Sequence, residues 1–463
     1  MRIRRARAAG AALVAMVAVG AAFAAPGSAG AAPGAGDAGQ GDGRTVRVEV
    51  PGPEPAASAD GRKHKDSPAG SGYVRVPASG GTGATDTAAP SGSAAAADGT
   101  VTKVIDNGAT ADKLDVVFVG DGYREGELAQ FQTDVKTKWN DVLGVEPYTT
   151  YQKLFNVWAV DAVSVDSGVS GDPAKGTVKN TALGSNFWCG DIERLLCVDT
   201  NRLDRYVAKA PEADLVIVLA NSTKYGGAGY TGGNAQLGYE GIATASAGNS
   251  DSGQIAIHET GHSLGKLDDE YTYAEYGRYT GAELGSLNSS IYTADQLAAR
   301  QTKWYRWLGQ QSPDGGTVGA YEGSSYYPQG IYRPTENSIM RTLGRKFNLP
   351  GAEAMVNGFH RHAKTVTAGA GFDTKSELRP GARASVEVAT PVGDRGTDLR
   401  WYLDGEEVAG LRGKTDVRIT EGLVPDDGAE HTLTARAVDR TDAVRDPAVR
   451  KALTDSVEWR VHG

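Results

Sequence analysis

Several side chains that can bind a metal ion lie in the segment HETGHSLGKLDDEY, which begins at His258. His258 and His262 are four residues apart, so on a helix their imidazoles lie on one face and can share one metal ion. Glu259 lies beside the first histidine, where its carboxylate can reach a water molecule on that metal without binding the metal. Zinc lowers the pKa of such a water to about 7 and polarises a carbonyl group. The pattern predicts hydrolysis of an amide bond with Glu259 as the general base.

The residues that follow the second histidine should supply a third ligand. Gly265 can adopt a left-handed conformation that ends the helix and turns the chain back toward the metal. Asp268, Asp269 and Glu270 come next, and Asp268 has the spacing of the third ligand in the metzincin pattern HExxHxxGxxH/D. The spacing alone leaves the choice among these carboxylates open. The unused ones would orient the histidines or lie in a solvated turn.

The first residues have the pattern of a secretory signal peptide. Residues 1–32 begin with arginines, continue through an apolar stretch at 11–25 and end in small residues. This stretch is shorter than the roughly 20 residues of a membrane span, so we predict a secreted, extracellular protein with no membrane span. Removing the signal and its four arginines takes the formal net charge from -9 to -13, which argues against nucleic acid as a partner.

Only two cysteines occur in the chain, Cys189 and Cys197. In an exported protein with this close spacing we predict one local disulfide. Two free buried thiols are the alternative.

Residues 33–99 are rich in Gly, Ala, Ser and Pro, and their only strand-like patches are TVRVEV and YVRV. Such a segment cannot bury enough apolar surface to fold alone. It is either a propeptide that covers the site or a low-complexity linker. The linker is favoured because no cysteine or clear metal-directed motif occurs there.

Residues 100–371 form the main predicted domain. Apolar, β-branched runs at 114–123, 155–164 and 213–221 predict buried strands, and the spacing at 125–143 predicts a helix. Alternating strands and helices indicate an α/β layer. The segment 239–247, just before the metal-binding residues, is a candidate edge strand that binds peptide by strand addition.

Residues 372–463 carry short segments with period-two alternation, separated by Gly, Asp and Pro turns. This spacing predicts a small β-sandwich of the immunoglobulin-like kind, with Trp401 as its buried aromatic residue. Nothing in it has a catalytic pattern, so it is a candidate for binding a surface polymer or another protein.

The metal-binding segment resembles the immunoglobulin A peptidase family of metzincin-like zinc metallopeptidases, whose motif is HExGHSxxGLxDEY. In that alignment Asp269, Glu270 and Tyr271 match the family's DEY, so the resemblance implies Asp269 as the third ligand, with Asp268 second. Residues 101–365 carry further similar segments, among them VVFVGDGY, EPYTTYQKLFNVWAV and NSTKYGGAGY. The activity on immunoglobulin A that names the family does not transfer by motif.

The segment YEGSSYYPQGIYRPTENSIMR is similar to the family's block before its Met-turn. The resemblance implies that Met340 lies as a hydrophobic floor beneath the metal. Tyr332 and Arg333 are candidates to stabilise an oxyanion, or else they pack the Met-turn. Where the family often has cysteines, this chain has other residues: Asn337, Ser338, Asn348 and Pro350.

Together these features predict an α/β metzincin-like zinc peptidase domain followed by a small all-β immunoglobulin-like sandwich. We expect a monomer that hydrolyses protein or peptide substrates. Two alternatives remain: an exported binding or adhesion protein with a degenerate metal domain, and a zinc amidase that acts on a non-protein amide. The presence of Glu259 together with both histidines favours an active enzyme.

Overall fold

The apolar runs that predicted buried strands lie at the centre of an eight-stranded sheet with the order β2-β1-β7-β8-β6-β4-β5-β3. This computed structural model describes residues 45–50, 73–78, 93–230 and 238–463. The predicted signal peptide lies outside the described residues. The strands of this sheet are β1 (Thr45–Glu49), β2 (Tyr73–Pro77), β3 (Val101–Ile105), β4 (Leu114–Asp121), β5 (Phe155–Val160), β6 (Leu215–Ala220), β7 (Gly227–Tyr230) and β8 (Ile242–Ser246).

The four central strands β5, β4, β6 and β8 run parallel, whereas the strands at both ends of the sheet pair antiparallel. Every residue of β4, β5 and β6 is buried. Strands buried on both faces read as continuous apolar runs in the sequence, and for this reason the three were predicted correctly.

Helices cover both faces of this sheet, and one described helix lies in the C-terminal region. They are α1 (Ser93–Ala97), α2 (Leu128–Leu143), α3 (Thr200–Val207), α4 (Ser252–Ser263), α5 (Ala294–Arg300), α6 (Leu349–Phe359) and α7 (Pro447–Ala452). The predicted apolar face of α2 is confirmed: Phe131, Val135 and Trp139 are buried against one face of the sheet, in the cluster that also holds α4 and α6. The opposite face packs against α3. The predicted α/β layering is therefore present. Among the described helices none is long and apolar enough to cross a membrane.

Two strands of the large sheet come from the segment for which a linker was favoured. β1 pairs with β2 along five residues and with β7 at Glu49↔Gly229. Val48 and Val76 are buried in the same core cluster as α3. The described parts of this segment therefore fold onto the main domain rather than acting as a spacer. They also occupy the edge of β7, and β8 lies inside the sheet between β7 and β6, so the prediction that 239–247 is an edge strand was wrong.

The C-terminal region contains two small sheets around one core. β9 (Tyr321–Ser324) and β10 (Tyr327–Arg333) form a hairpin before it. One small sheet has the order β11-β12-β15 and the other β14-β13-β16-β17. Their strands are β11 (Val366–Ala368), β12 (Arg383–Val388), β13 (Thr397–Leu403), β14 (Glu406–Glu407), β15 (Asp416–Arg418), β16 (His431–Asp439) and β17 (Thr454–Val461). Trp401 is fully buried as predicted and stacks on Trp459 with 5.6 Å between ring centroids. The immunoglobulin-like assignment stays a prediction.

Buried polar contacts join the C-terminal strands to the main domain. Glu353 of α6 accepts hydrogen bonds from the backbone N–H groups of Arg445 (2.6 Å) and Asp446 (2.7 Å) and from Trp307 Nε1 (2.6 Å). The hydroxyl of Tyr151 bonds to Asp439 of β16. Because a buried carboxylate that loses these donors is costly, the contacts hold the two regions in one unit, Gln40–Gly463.

The predicted disulfide between Cys189 and Cys197 is present, with an S–S distance of 2.10 Å. It lies in the loop region before α3, and both sulfur-bearing residues belong to the core cluster under β1. The alternative of two free thiols is wrong.

A half-buried histidine just after α6 gives the fold a pH dependence. His362 Nδ1 lies 2.8 Å from Asp214 Oδ1 and its Nε2 lies 2.9 Å from Glu240 Oε1. Burial lowers the pKa of His362, but these two carboxylates outweigh it and raise the pKa from 6.5 to about 9. The interaction therefore stabilises the folded chain below pH 6.5 and is lost as the pH rises through about 9.

We expect the His362→Gln variant to lose roughly 3 kcal/mol in free energy of unfolding at pH 6, and the difference from wild type to shrink toward pH 10. Urea unfolding at both pH values measures it. In an Asp214→Asn background the pH dependence of the difference should be smaller. An equal loss at both pH values would contradict the assignment.

Candidate metal centre

The helix α4 positions both histidines of the HETGH segment. It begins where the Asn249 side chain accepts hydrogen bonds from the backbone N–H groups of Asp251 (3.0 Å) and Ser252 (3.1 Å), which have no partner within the helix. The helix then packs on β7 and β8. His258 and His262 lie one turn apart on it, and both are buried.

The turn after α4 differs in detail from the predicted one. Lys266, with a φ of 51°, adopts the left-handed conformation, and Gly265 does not. Gly265 is required for space instead, because a Cβ there would lie 2.7 Å from the carbonyl oxygen of Gly261. The N–H group of Leu267 bonds to that same oxygen at 3.1 Å and closes the turn. The chain thus returns toward the histidines as expected, but Lys266 rather than Gly265 supplies the left-handed conformation.

Ligand atoms from both histidines and from Asp269 converge on one point. The two Nε2 atoms are 3.1 Å apart. Asp269 Oδ1 lies 3.2 Å from His258 Nε2 and 3.4 Å from His262 Nε2. Asp268 is not part of this cluster; its carboxylate accepts hydrogen bonds from Ser286 (2.5 Å) and Ser325 (3.1 Å). The geometry therefore favours Asp269 over Asp268 as the third ligand.

Backbone carbonyl groups orient both imidazoles. His258 Nδ1 lies 3.0 Å from the oxygen of Ile339, and His262 Nδ1 lies 2.6 Å from that of Leu267. A carbonyl oxygen only accepts, so each Nδ1 carries the proton and donates it. Each Nε2 is then the atom that can exchange its proton for a metal ion at the shared point. This is the outer arrangement that fixes histidine ligands on a metal.

A fourth group at the same point comes from β1. Glu49 Oε2 lies 3.0 Å from His262 Nε2, and Glu49 Oε1 lies 3.3 Å from His258 Nε2. The hydroxyl of Tyr271 donates to Oε1 at 3.2 Å. Sequence reasoning missed Glu49, although TVRVEV was recognised as strand-like.

Glu259 lies beside the cluster without joining it. It is fully buried, and neither carboxylate oxygen has a hydrogen-bond partner among the described residues. Burial, followed by the charge of Glu49, raises the pKa of Glu259 well above its usual value. The carboxylate fits there because residue 229 is glycine: a Cβ at Gly229 would lie 1.6 Å from Glu259 Oε2. Such an unpartnered acid needs a nearby proton or water to satisfy it.

The donor set fits a divalent cation. One atom from each of Glu49, His258, His262 and Asp269 lies within 4.8 Å of the others, and all four residues are buried. Burial lowers the pKa of His258, but its contacts with Asp269 and Glu49 raise it to about 10. The carboxylates thus favour positive charge at this point. Two imidazole nitrogens with carboxylate oxygens are the ligands that zinc prefers.

Comparison with known families agrees with this geometry. The model of the family described as IgA peptidase M64 matches residues 102–314 and 293–359, more than half of the chain. The chain belongs to this family. No curated protein matches the chain. The resemblance inferred from HETGHSLGKLDDEY is therefore confirmed, and the protein is an M64 peptidase by family.

Met340 of this M64 peptidase lies directly beneath α4. It is 1 % exposed, and a Cβ added at Gly261 would lie 2.5 Å from its sulfur atom. The glycine between the two histidines therefore lets the thioether pack against the helix backbone. The role implied for Met340 by the family resemblance, a hydrophobic floor beneath the metal, stays a prediction.

A hydrogen-bond network joins the DEY segment to the Met-turn. Glu270 is buried and accepts from Ser338 Oγ (2.7 Å), Asn348 Nδ2 (3.0 Å) and Asn288 Nδ2 (3.1 Å). The N–H group of Glu270 also donates to the oxygen of Met340 at 2.8 Å. Ser338 and Asn348 stand where the family often has cysteines. In this chain, hydrogen bonds from those two residues to Glu270 stabilise the turn.

Tyr332 and Arg333 do not enter the cluster. The guanidinium of Arg333 donates to three backbone oxygens, those of Glu322, Gly323 and Glu336. The backbone of Tyr332 pairs with Ser290. Arg333 therefore holds the backbone before the Met-turn, in line with the alternative interpretation, and the role of the Tyr332 side chain stays a prediction. The hydroxyl of Tyr271, which sequence reasoning gave no role, lies at the cluster instead.

Proposed function

We propose that the chain is a secreted zinc-dependent endopeptidase that hydrolyses peptide bonds with Glu259 as general base. The observation that carries the proposal is the carboxylate of Glu259, which has no hydrogen-bond partner among the described residues and lies beside the convergent ligand atoms of His258, His262 and Asp269. A general base must lie within reach of the proton it removes and must not be held by other donors. Membership of a peptidase family supports the same reaction.

His258, His262 and Asp269 would hold the zinc ion and leave one position open. Bound zinc supplies a water of lowered pKa and polarises the carbonyl of the scissile bond. Glu259 accepts the proton of the attacking water and passes it to the departing amine nitrogen. Burial raises the pKa of Glu259. The carboxylate is therefore a stronger base, and its protonated form can donate the proton to the amine.

The hydroxyl of Tyr271 is the candidate donor to the oxyanion that forms at the substrate carbonyl. It already donates to an anion at this place, the Glu49 carboxylate, at 3.2 Å. A donor placed where negative charge develops lowers the barrier, and removing one such donor costs about 10²–10³ in rate.

Export rests on two features of the chain. The signal-like residues 1–32 carry the arginine and apolar stretches of a secretory signal. The disulfide Cys189–Cys197 suits an oxidising compartment outside the cytoplasm.

The function is tested by metal content and by cleavage of casein and a peptide library on one preparation, with and without a chelator. The Glu49→Ala chain is assayed beside wild type because Glu49 contacts both histidines. We expect about one zinc per chain and chelator-sensitive cleavage, with both absent in His258→Ala. Zinc binding without cleavage, in both the wild-type and the Glu49→Ala chain, would reject the peptidase activity and indicate a non-peptide amide as the substrate.

In the Glu49→Ala background, the Tyr271→Phe change is expected to lower kcat/KM for peptide cleavage about 100-fold with little change in KM, because only the transition state then loses a hydrogen bond. Metal content should stay unchanged. Tyr276→Phe is the matched control, because the rings of Tyr276 and Tyr271 both contact the ring of Tyr326. Equal activity of the two variants would remove Tyr271 from the mechanism.

A further inference from the structure

The strand β1 occupies the edge of β7 in the large sheet. It pairs antiparallel with β7, and Glu49 lies opposite Gly229, the residue against which the Glu259 carboxylate packs. Extended peptides commonly bind by adding a strand to an exposed sheet edge. In this chain the edge of β7 is already taken by β1.

The carboxylate of Glu49 also lies at the point where the ligand atoms of His258, His262 and Asp269 converge. It lies 3.0 Å from His262 Nε2 and 3.3 Å from His258 Nε2. It accepts a hydrogen bond from the Tyr271 hydroxyl at 3.2 Å. A zinc site with four protein ligands is closed, whereas a catalytic site keeps one position for water.

From these two observations we infer that the β1–β2 hairpin is an intramolecular inhibitor of the proposed peptidase. Glu49 acts as a removable fourth metal ligand, and the backbone of β1 blocks the strand edge that substrate would use. The inference rests on the proposed function, since it assigns the latent state of that same site.

The β1–β2 hairpin contacts the domain at residues other than Glu49. These contacts hold Glu49 at the site. Val48 and Val76 are buried in the core cluster of α3. Ala78, just after β2, accepts hydrogen bonds from the backbone N–H (3.0 Å) and hydroxyl (3.2 Å) of Thr200. Tyr73 packs edge-on against Tyr326 with 6.2 Å between ring centroids.

A carboxylate held in this way competes strongly with water and substrate. A tethered group acts at a local concentration on the order of millimolar or higher, without any loss of free translation on binding. Among the described residues, the ladder between β1 and β7 has a single residue pair, Glu49↔Gly229, so few described ladder contacts must break for the hairpin to leave. Substrate entry therefore requires that the hairpin leave.

The test measures ligand binding at the metal site rather than peptide cleavage. The full chain and its variants are loaded with Co²⁺, and the visible absorption spectrum is titrated with a small hydroxamate, a bidentate ligand that needs the open position. Glu49→Ala removes the carboxylate and Glu49→Gln removes its charge while keeping its volume. Arg47→Gln is the control, since Arg47 shares the strand face of Glu49 but is exposed.

We expect the hydroxamate to bind both Glu49 variants roughly 100-fold more tightly than wild type or Arg47→Gln, because a state populated at about 1 % weakens apparent affinity by that factor. The cobalt spectrum without hydroxamate should also differ between wild type and the Glu49 variants. Thermal unfolding of each metal-loaded chain identifies any variant that has not folded, and the other Glu49 variant then decides.

Equal hydroxamate affinity and equal cobalt spectra in folded wild type and Glu49 variants would overturn the inhibitory role, and chelator-sensitive cleavage by all of them would leave the peptidase standing. A gain in hydroxamate affinity without cleavage by any chain would keep the ligand role of Glu49 but reject the peptidase. The two failures are thus separable.

Discussion

The Glu259→Gln variant is expected to lose about 10³-fold or more in kcat/KM for peptide cleavage while keeping its metal content. Glutamine has nearly the same shape but cannot accept the proton of the attacking water. Neither Glu259 oxygen bonds to another described residue, so the exchange removes no structural hydrogen bond. The assay compares Glu49→Ala with the Glu49→Ala, Glu259→Gln double variant, so that the site is open in both.

The stability of Glu259→Gln provides a second readout. Burial raises the pKa of Glu259, so a charged carboxylate there costs free energy in the folded chain. We expect the variant to unfold at the same or a higher temperature than its parent. His258→Ala is the contrasting variant, because it should lose metal and activity together. If Glu259→Gln cleaved peptides at the parent rate, Glu259 would not be the general base.

Local spacing predicted the parts of the site that lie close together in the chain. His258 and His262 share a helix face because they are four residues apart, and their backbone alone settles this relation. Asp269 follows within seven residues, so a short turn was enough to return it to the histidines. The buried strands β4, β5 and β6 were equally predictable from the sequence, because a continuous apolar run of this length is compatible with few other structures.

Long-range pairing accounts for what the sequence did not reveal. Glu49 and His258 are separated by 209 positions, and nothing in TVRVEV specifies a metal until β1 is placed beside β7. The sequence predicted the left-handed conformation at Gly265, but Lys266 adopts it. A tertiary contact again explains the difference. Gly265 is needed for the close approach of the Gly261 carbonyl, a tertiary contact that resembles a conformational requirement when only residue types are known.

The Gly229→Ala variant is expected to reduce kcat/KM almost as far as Glu259→Gln does. The new Cβ would lie 1.6 Å from Glu259 Oε2, so the carboxylate must leave the place from which it reaches the attacking water. The three atoms nearest to this methyl group all belong to Glu259, so we expect the metal content to stay at the parent level. Metal analysis and peptide cleavage in the Glu49→Ala background measure both quantities.

A double-variant comparison separates this effect from general damage to β7. If Gly229→Ala acts by moving Glu259, adding it to Glu259→Gln should cost little further activity, because both changes remove the same base. Gly126→Ala, where an added Cβ meets nothing within 4 Å, is the control for a harmless glycine exchange. Losses that multiply in the double variant would mean that Gly229 serves the reaction independently of Glu259, as a strand residue that positions substrate.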